Sequence, residues 1–248
     1  MKYFIGCSGF YNKAWKGEFY PEGLAQKNWF AYYSGEFNTI ELNVTFYRFP
    51  QYKTLRAWYE KSPPGFCFSV KAPRLITHFK QFSSCESLLK DFYNVVREGL
   101  GDKLGTLLFQ LPPSFKYSEE NLGKILSSLD TTFTNTLEFR DPAWWNDLVM
   151  QRLTEAGVVF SGISHPTLPD PLINSGRDLY YRFHGIPDLY FSEYSLSIIE
   201  QFAAKLLSLK NIRNAFIYFN NTALLGAIHN ARSLKKLLEG SNEFQQLQ

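Results

Sequence analysis

Short runs of β-branched and aromatic residues alternate with longer segments of helical periodicity along the whole chain. Eight of these runs predict strands, because they are rich in Val, Ile, Leu, Phe or Tyr and are bounded by Gly, Pro, Asn or other polar residues. The predicted strands are Tyr3–Ser8, Phe37–Asn43, Phe66–Lys71, Thr106–Leu111, Thr136–Arg140, Val158–Ser164, Leu179–His184 and Ala215–Asn220. Strands that alternate with helices indicate a parallel sheet with helical crossovers.

Seven segments between and after these strands carry the apolar spacing of helices. The predicted helices are Leu24–Ser34, Tyr52–Lys61, Cys85–Leu100, Glu119–Leu129, Asn146–Ala156, Ser195–Leu209 and Ala227–Leu238. The connection after the sixth strand contains Pro166, Pro169 and Pro171, which predicts a loop instead of a helix. The pattern therefore indicates one domain over residues 1–238, followed by a polar tail at 239–248 that we expect to fray.

Eight strand–helix units in 248 residues fit a single closed (β/α)8 barrel of the TIM type, an α/β fold with parallel strands. An open, doubly wound sheet is the alternative. Closure is favoured because no GxGxxG motif follows the first strand. Polar residues also end nearly every strand, whereas an open sheet would concentrate them at one switch point.

Side chains alternate between the two faces of a strand, so every second residue of a barrel strand faces the interior. Applied to the predicted strands, this alternation gives a polar ring at their C-terminal ends, where TIM barrels carry their active sites. The ring consists of Glu41, Asn43, Lys71, Gln110, Glu138, Arg140, Arg182, His184 and Asn220. Buried charges are costly unless they are paired, so the ring predicts either a site in use or a set of ion pairs. The ion-pair alternative couples Glu41 with Lys71, and Glu138 with Arg140 or Arg182.

Aromatic residues make up 17% of the chain, and many follow the ends of strands. The predicted rim of the mouth contains Phe10, Tyr11, Trp15, Phe46, Tyr47, Phe115, Trp144 and Trp145. Flat rings in such a position suit stacking on sugar rings or nucleobases. The alternative is that individual rings pack against helix ends.

The net charge of +3 and the pI of about 8.6 favour anionic ligands slightly, but they do not make nucleic acid the first expectation. Cys7, Cys67 and Cys85 are an odd number without CxxC spacing, which argues against a disulfide framework or a zinc knuckle. No apolar run approaches the length of a membrane span, and the apolar run at the start of the chain is too short for the hydrophobic region of a signal peptide. We therefore expect a cytoplasmic protein without membrane contacts; its oligomeric state is left open.

Eight motifs along the chain resemble, in the same order, those of the DUF72 family, also called YecE-like or UPF0759 proteins. The motifs are IGCSGF, WKGEFYP, ELNVTFYRFP, FSVKAPRLITH, LLFQLPPSF, EFRDPAWW, YRFHG and YFNNTALLGAIHNA. The resemblance spans Ile5 to about Ala231. It implies a TIM-type barrel and brings with it no established biochemical activity.

Twelve positions match the residue types of that family pattern. They are Glu41, Asn43, Tyr47, Lys71, His78, Gln110, Glu138, Arg140, Arg182, His184, Asn220 and Asn221. Four positions depart from it. Phe10 stands where Trp is common and Asp141 where His is usual, while Ser161 and Ser164 stand where an acidic residue is expected. These departures argue against a mechanism that needs a His at 141 or a carboxylate on the sixth strand.

Three types of site chemistry are considered for the residues of the ring. A metal site would use Glu41, Glu138 and His184, with His78 or His165, but cations share the same space and there is no HxH or HxxxE cluster. No cofactor is therefore predicted, and a divalent metal is the less favoured alternative. Glycoside hydrolysis would need the two glutamates at a suitable separation. Schiff-base chemistry would need a lysine of lowered pKa, a position that Lys71 fills.

The cationic character of the ring favours a hydrolase- or lyase-like enzyme that acts on a small anionic substrate, such as a phosphorylated sugar or nucleotide. In this hypothesis Arg140 and Arg182 clamp the anion. Glu138 and His184 transfer protons, and Glu41 orients Lys71. The further substrate-binding candidates are Asn43, Tyr47, Gln110, Asn220, Asn221, Trp15 and His78. The alternative is a non-catalytic protein that binds nucleotides or nucleic acid at the same mouth, with an affinity that falls steeply with salt.

Overall fold

The structure is a computed structural model that describes residues 1–173 and 176–246, with side chains described up to residue 240. In these two described ranges nine strands form the core. They are β1 (Lys2–Cys7), β2 (Thr39–Leu42), β3 (Cys67–Lys71), β4 (Leu104–Leu111), β5 (Asn135–Phe139), β6 (Val159–Phe160), β7 (Gly162–Ser164), β8 (Asp178–Phe183) and β9 (Asn214–Phe219). Each of the eight predicted strands overlaps at least one of them, and most bounds differ by one or two residues, so the sequence pattern located the strands correctly.

Eight α-helices accompany the strands in the described part of the chain. They are α1 (Trp29–Glu36), α2 (Val44–Tyr47), α3 (Tyr52–Lys61), α4 (Glu86–Leu100), α5 (Glu119–Ser128), α6 (Asp147–Glu155), α7 (Leu196–Ser208) and α8 (Gly226–Gln246). The single turn α2 was not predicted. The predicted end of the last helix at Leu238 is wrong, because the backbone stays helical to Gln246 and Lys235 approaches Glu239 one turn later at 3.9 Å.

The strands form two parallel sheets, ordered β1-β9-β8-β7 and β2-β3-β4-β5-β6. The sixth predicted strand contributes to both, since it is divided at Ser161. Its first part, β6, pairs with β5, and its second part, β7, pairs with β8. The result is an α/β fold with parallel sheets that is compatible with a TIM-like barrel.

Side chains, instead of a backbone ladder, connect β1 with β2. The Ile5 amide donates to the Asn38 side chain at 3.1 Å. The Tyr33 hydroxyl accepts from the Cys7 amide at 2.7 Å and donates to the Thr39 carbonyl at 3.0 Å. Each strand therefore has hydrogen-bonded groups on the edge that faces the other sheet.

The two faces of the strands belong to two separate hydrophobic clusters. The inner cluster consists of Phe4, Cys67, Leu108, Val159, Tyr180, Phe216 and Tyr218. The outer cluster contains the alternate residues, such as Phe68, Phe109 and Phe139, packed against the helices. This separation confirms the predicted inward and outward sets, and it places an apolar layer below the polar ends of the strands.

Candidate functional site

Arg182 is the centre of a buried ion network at the C-terminal ends of the strands. Its side chain is fully buried, and its Nη2 donates to Glu41 at 2.7 Å while its Nη1 donates to Glu138 at 2.8 Å. Burial works against its charge, but the carboxylates of Glu138 and Glu41 outweigh burial and raise the Arg182 pKa. Both Nη atoms are thus committed to carboxylates, so the predicted clamping of an anion by Arg182 is not supported.

Glu138 lies between two guanidinium groups. Besides Arg182, the Nε of Arg140 donates to its Oε1 at 2.6 Å. Burial alone would raise the Glu138 pKa, but Arg140 and Arg182 hold it well below its ordinary value. The carboxylate is therefore ionised at neutral pH and cannot donate a proton. Arg140 remains 11% exposed and is the only one of the two arginines that reaches solvent.

His184 is completely buried beside the same groups. Its Nε2 lies 3.1 Å from Arg140 Nη2 and 3.4 Å from Glu138 Oε2, and Asn220 Nδ2 lies 2.8 Å from its Nδ1. Burial, followed by the charges of Arg140 and Arg182, lowers the His184 pKa well below its ordinary value. The ring is therefore a neutral imidazole, and its position suits the orientation of Arg140 better than proton exchange with a ligand.

Glu41 has two donors and neither of them is Lys71. Tyr180 donates its hydroxyl to Oε2 of Glu41, and Arg182 occupies Oε1. The predicted Glu41–Lys71 pair is wrong for this reason. Two carboxylates and two guanidinium groups balance each other, which satisfies the condition for burying charge.

Lys71 stands apart from this balanced network. Its side chain is buried, with 8% of the residue exposed, and within the described part of the chain its amine makes no hydrogen bond or ion pair. The amine lies 4.2 Å from the centre of the Phe46 ring. Burial and the neighbouring Arg182 lower the Lys71 pKa to about 7, while Glu138 and Glu41 oppose this only in part.

His78 approaches the same phenylalanine from another side. Its imidazole lies edge-on to Phe46, with the ring centres 4.9 Å apart, and its Nδ1 is 2.9 Å from the Thr77 hydroxyl. Burial and the nearby charge of Lys71 lower the His78 pKa to about 4. His78 belongs to a π-helical turn at Leu75–Phe79, a geometry that is frequent at functional sites.

His165 is a site residue that the predicted ring lacked. Its ring centre lies 6.0 Å from that of His184, and burial together with Arg140 lowers its pKa. Its Nδ1 accepts from the Thr167 amide at 3.2 Å, which leaves the proton on Nε2. The alternation of the sixth strand, continued from the inward Val159 across the bend, would have placed His165 inside.

Four buried polar atoms have no hydrogen-bond partner in the described part of the chain. They are Ser8 Oγ, Asn43 Oδ1, Arg182 Nε and Asn221 Oδ1. Ser8 and Asn43 directly follow β1 and β2, whose C-terminal ends are neighbours. An unpaired buried polar atom costs about 1–3 kcal/mol. Because native proteins pair nearly all such groups, these atoms mark the strand ends as a place that suits a polar ligand.

Of the other predicted site residues, Gln110 and Tyr47 are partly or largely exposed, whereas Asn221 is buried outside the ring. Gln110 is half-buried and donates to the Leu111 carbonyl at 3.3 Å, and Tyr47 is 66% exposed at the surface. Asn221 lies outside the ring, where its amide donates to the Ser192 carbonyl at 3.0 Å and to Asn230 at 3.1 Å. These contacts anchor the loop after β8.

Several aromatic residues of the predicted rim are core residues. Trp15 is 1% exposed and donates its indole N–H to the Leu224 carbonyl at 2.8 Å. Trp144 is fully buried and stacks on Phe139 at 4.3 Å and on Phe115 at 5.7 Å. These rings are buried against residues of neighbouring loops and strands, so the expectation that Trp15 binds substrate is not supported.

Three of the positions that depart from the family pattern support the backbone. Asp141 accepts from the Ala143 amide at 3.1 Å and pairs with Lys116, so it caps the short turn that follows β5. Ser161 donates to the Gly162 carbonyl at 2.9 Å, and Ser164 accepts from the Tyr194 hydroxyl at 2.9 Å.

Residues 1–173 and 176–246 contain no group of three or more His, Cys, Asp or Glu side chains that could hold a metal ion. The three cysteines are free and buried, and burial raises the pKa of Cys67 to about 12, which keeps that thiol protonated. No helix in the described ranges combines the length and apolar character that a membrane span requires.

The fold and the ring together define a parallel α/β protein with a charged network inside its strand ends. The chain belongs to the DUF72 family, since the family model, described as a protein of unknown function, matches residues 4–248. The UPF0759 protein YunF of Bacillus subtilis (strain 168) is 25% identical over 254 residues, which cover 89% of this chain and 90% of that protein.

Solved structures of the same family share the fold. A DUF72 family protein of Thermotoga maritima superposes with a TM-score of 0.88 at 27% identity, covering 96% of this chain and 100% of that one. A DUF72 family protein of Enterococcus faecalis V583 gives a TM-score of 0.83 at 17% identity, covering 96% of this chain and 95% of that one. The second likeness concerns the fold alone.

Proposed function

We propose that this DUF72 protein is a lyase-type enzyme whose Lys71 amine forms a Schiff base with the carbonyl group of a small anionic substrate, such as a phosphorylated sugar. The observation that carries the proposal is a buried amine without a counter-ion among the described residues, beside a network whose own charges are balanced. Structural lysines in such surroundings are normally paired. A lysine that is desolvated next to other cations is instead a typical nucleophile.

The lowered pKa makes the amine available. With a pKa of about 7, close to half of the Lys71 side chains are uncharged at neutral pH. An ordinary lysine is uncharged to roughly one part in a thousand or less at the same pH. The free base is the form that attacks a carbonyl carbon, so the site raises the nucleophile concentration by about three orders of magnitude.

In the proposed step the Lys71 nitrogen bonds to the carbonyl carbon as the carbon–oxygen π bond breaks, and the carbonyl oxygen takes up a proton from solvent. The resulting hydroxyl leaves as water after a second protonation, and the nitrogen keeps its last proton in a protonated imine. The imine then takes up the electron pair of the bond between the α and β carbons of the substrate and becomes an enamine, while the β-hydroxyl loses its proton to solvent and the β fragment leaves as a carbonyl compound. His78, a neutral imidazole against the same Phe46 ring, takes the proton released by the amine and returns it to the departing hydroxyl.

Arg140 is the guanidinium group that we assign to the substrate anion, because it reaches solvent while Arg182 does not. Glu138 and His184 then orient Arg140 instead of exchanging protons with the substrate. His165, whose ring centre lies 6.0 Å from that of His184, offers a second imidazole of lowered pKa for a later proton transfer. These assignments replace the proton-transfer roles that the sequence suggested for Glu138 and His184.

The proposal includes a closed barrel, in which the two sheets share one interior. The divided sixth strand continues from one sheet into the other, and Arg182 of β8 reaches carboxylates on β2 and β5. At the other junction, a Cβ added to Gly6 would lie 2.3 Å from the Thr39 carbonyl oxygen, so β1 and β2 approach closely. Amide hydrogen exchange tests closure: strong protection of Ile5 and Cys7 supports it, and the rapid exchange of an open edge contradicts it.

A cytoplasmic setting also belongs to the proposal, since free, buried thiols suit a reducing compartment. Fractionation of cells that express a tagged chain tests this point. Recovery in the soluble cytoplasmic fraction is the expected result, and recovery with secreted proteins would contradict it.

Pyridoxal 5′-phosphate is a suitable probe for the Schiff-base proposal, because it combines an aldehyde with a phosphate group. Treatment at pH 7 followed by borohydride reduction and peptide mapping should place the label on Lys71. The label should disappear in Lys71→Met and persist in Lys53→Met, a matched change at an exposed lysine. Labelling that is spread over surface lysines and omits Lys71 would overturn the proposal.

A further inference from the structure

The exposed large hydrophobic side chains of the described chain are concentrated on one side of the fold. Apart from Met1, each lies between the end of a strand and the first turn of the next long helix, with the single turn α2 counted as part of the segment after β2. In a parallel sheet all these segments are on the same side, the one that carries the mouth. Soluble proteins expose such clusters mainly where they bind something.

The segments after β2 and β3, residues 43–51 and 72–85, form the most distinctive part of this side, which we call the cationic lip. Tyr47 is 66% exposed and Phe79 is 67% exposed. The Arg74 guanidinium lies 5.7 Å from the centre of the Tyr47 ring and 5.3 Å from that of Phe79. A cation held near two open aromatic rings presents positive charge and stacking surfaces together.

The charge of this region is one-sided. Residues 42–85 contain seven Lys or Arg and a single acidic residue, Glu60. Glu60 is the ion-pair partner of Arg56, at 2.9 Å, one turn away on α3. The lip segments themselves carry Arg48, Arg74 and Lys80 and no carboxylate, so the lip fits an anionic partner.

A cleft of about 240 Å³ extends the lip toward α3. Arg48, Phe49 and Trp58 are among its lining residues, so the cleft combines ring surfaces with a cation. Toward the mouth, Phe46 connects the lip with Lys71, since its ring centre is 5.1 Å from that of Tyr47. Aromatic rings thus follow one another from the mouth to the cleft.

We propose that the cationic lip binds single-stranded nucleic acid, with bases stacked on Tyr47 and Phe79 and phosphates held by Arg48, Arg74 and Lys80. A stacked base adds roughly one to two orders of magnitude to a binding constant, which does not hold a mononucleotide tightly on an open surface. A strand of several nucleotides makes such contacts at several positions at once and therefore binds more tightly than a mononucleotide. Duplex bases are closed to stacking from the side, which favours single strands over duplex.

The alternative macromolecule is an acidic protein segment, which would satisfy the charges of the lip but make no regular use of its open ring faces. This surface is distinct from the Schiff-base site, and the inference stands independently of the proposed reaction. Lys71→Met should therefore bind nucleic acid as the parent does, so a failure of one proposal is distinguishable from a failure of the other.

Fluorescence anisotropy with a labelled 20-residue oligothymidylate tests the inference. We expect saturable binding at 50 mM salt, weakened at least tenfold at 200 mM salt, since phosphate contacts release counter-ions. The double variant Tyr47→Ala with Phe79→Ala should weaken binding at least tenfold at 50 mM salt. The matched control Tyr11→Ala changes a ring that is 59% exposed after β1 and should bind as the parent does.

Three results would overturn the inference. One is the lack of saturable binding at 50 mM salt. Another is unchanged binding by the Tyr47 and Phe79 double variant, which would reveal attraction by charge alone. The third is tighter binding of polyglutamate than of the oligonucleotide, which would indicate an acidic protein partner. The replaced aromatic side chains are all exposed, and a thermal melt of each variant checks that the fold is retained.

Discussion

Arg182 on β8 and Glu41 on β2 are joined by a 2.7 Å hydrogen bond between Nη2 and Oε1, in side chains that are both fully buried. The two strands belong to different sheets. The other Nη of Arg182 binds Glu138 on β5, again in the opposite sheet. One guanidinium group therefore cross-links the two sheets from the inside, and its removal would leave the buried Glu41 without a cation and Glu138 with Arg140 alone.

Replacing Arg182 with Met should lower the free energy of unfolding by about 3–5 kcal/mol, because it strands buried charge without a partner. Urea denaturation of the variant and the parent measures the difference. Arg140→Met is the matched control, because it removes a more exposed guanidinium and leaves Arg182 paired with Glu138. The decrease in the free energy of unfolding should therefore be smaller for Arg140→Met than for Arg182→Met. A neutral or stabilising Arg182→Met change would contradict the cross-linking role.

Lys71→Met should leave the melting temperature at neutral pH unchanged or raise it. The substitution removes a desolvated amine that has no ion-pair partner, while it keeps most of the side-chain volume. Thermal melts of the variant and the parent under the same conditions measure the difference in melting temperature. A loss of about 3–5 kcal/mol, the size expected for breaking a buried ion pair, would show that the amine has a structural partner after all.

The same variant should show a characteristic pH dependence. Burial lowers the Lys71 pKa from 10.5 to about 7, so between these values the unfolded chain binds more protons than the folded one. The stability of the parent therefore rises with pH relative to Lys71→Met. The free energy of unfolding of Lys71→Met should exceed that of the parent most below pH 7, on the order of a few kcal/mol, and this difference should shrink toward pH 10. Urea titrations at pH 6 and pH 9 measure this; a difference that grows with pH would contradict the lowered pKa.

Asn221→Ala should destabilise the fold by about 1–3 kcal/mol, because it removes a buried amide that donates to Ser192 and Asn230. Its effect on the labelling of Lys71 by pyridoxal 5′-phosphate should be small, since Asn221 lies outside the ring. Denaturation and labelling of the same preparation separate the two effects. Lost labelling in a folded Asn221→Ala protein would return Asn221 to the substrate-binding residues.

Asp141→Ala should cost about 0.5–2 kcal/mol, the usual value for the loss of a capping side chain. Its Oδ1 accepts from the Ala143 amide, and Asp141→Asn can keep that bond. Thermal melts of both variants should therefore show recovery in the Asn variant. Equal losses in the two would indicate that the pair with Lys116, instead of the cap, provides the stabilisation.

Periodicity predicted the strands and the inward set because both depend on one local rule, the alternation of side chains along a strand. Partners across the interior depend on distances between strands, which a single sequence does not contain. Glu41 was therefore assigned to Lys71, although Arg182 reaches it from the other sheet. His165 was considered only as a possible metal ligand and was left out of the ring, because the sixth strand is interrupted at Ser161.

Loop conformation is the second reason why the sequence could not predict the whole site, because it depends on contacts between residues that are far apart in the sequence. Trp15 follows β1 and was expected at the rim, but its indole donates to the carbonyl of Leu224 beyond β9. Asn221 similarly follows β9 but holds the loop after β8. The end of a strand indicates which side of the fold a residue occupies, and the loop then decides which way its side chain points.

The availability of the Lys71 amine at neutral pH is the central claim, and its reactivity can be measured directly. The rate of acetylation of each lysine by acetic anhydride, followed from pH 5 to pH 11 by mass spectrometry, reports the pKa of every reactive amine. The Lys71 rate should rise with a midpoint near pH 7 and level off by pH 9, whereas the rate of an ordinary lysine continues to rise above pH 10. A Lys71 midpoint near that of an ordinary lysine, or an amine that stays unreactive at pH 9, would contradict the account.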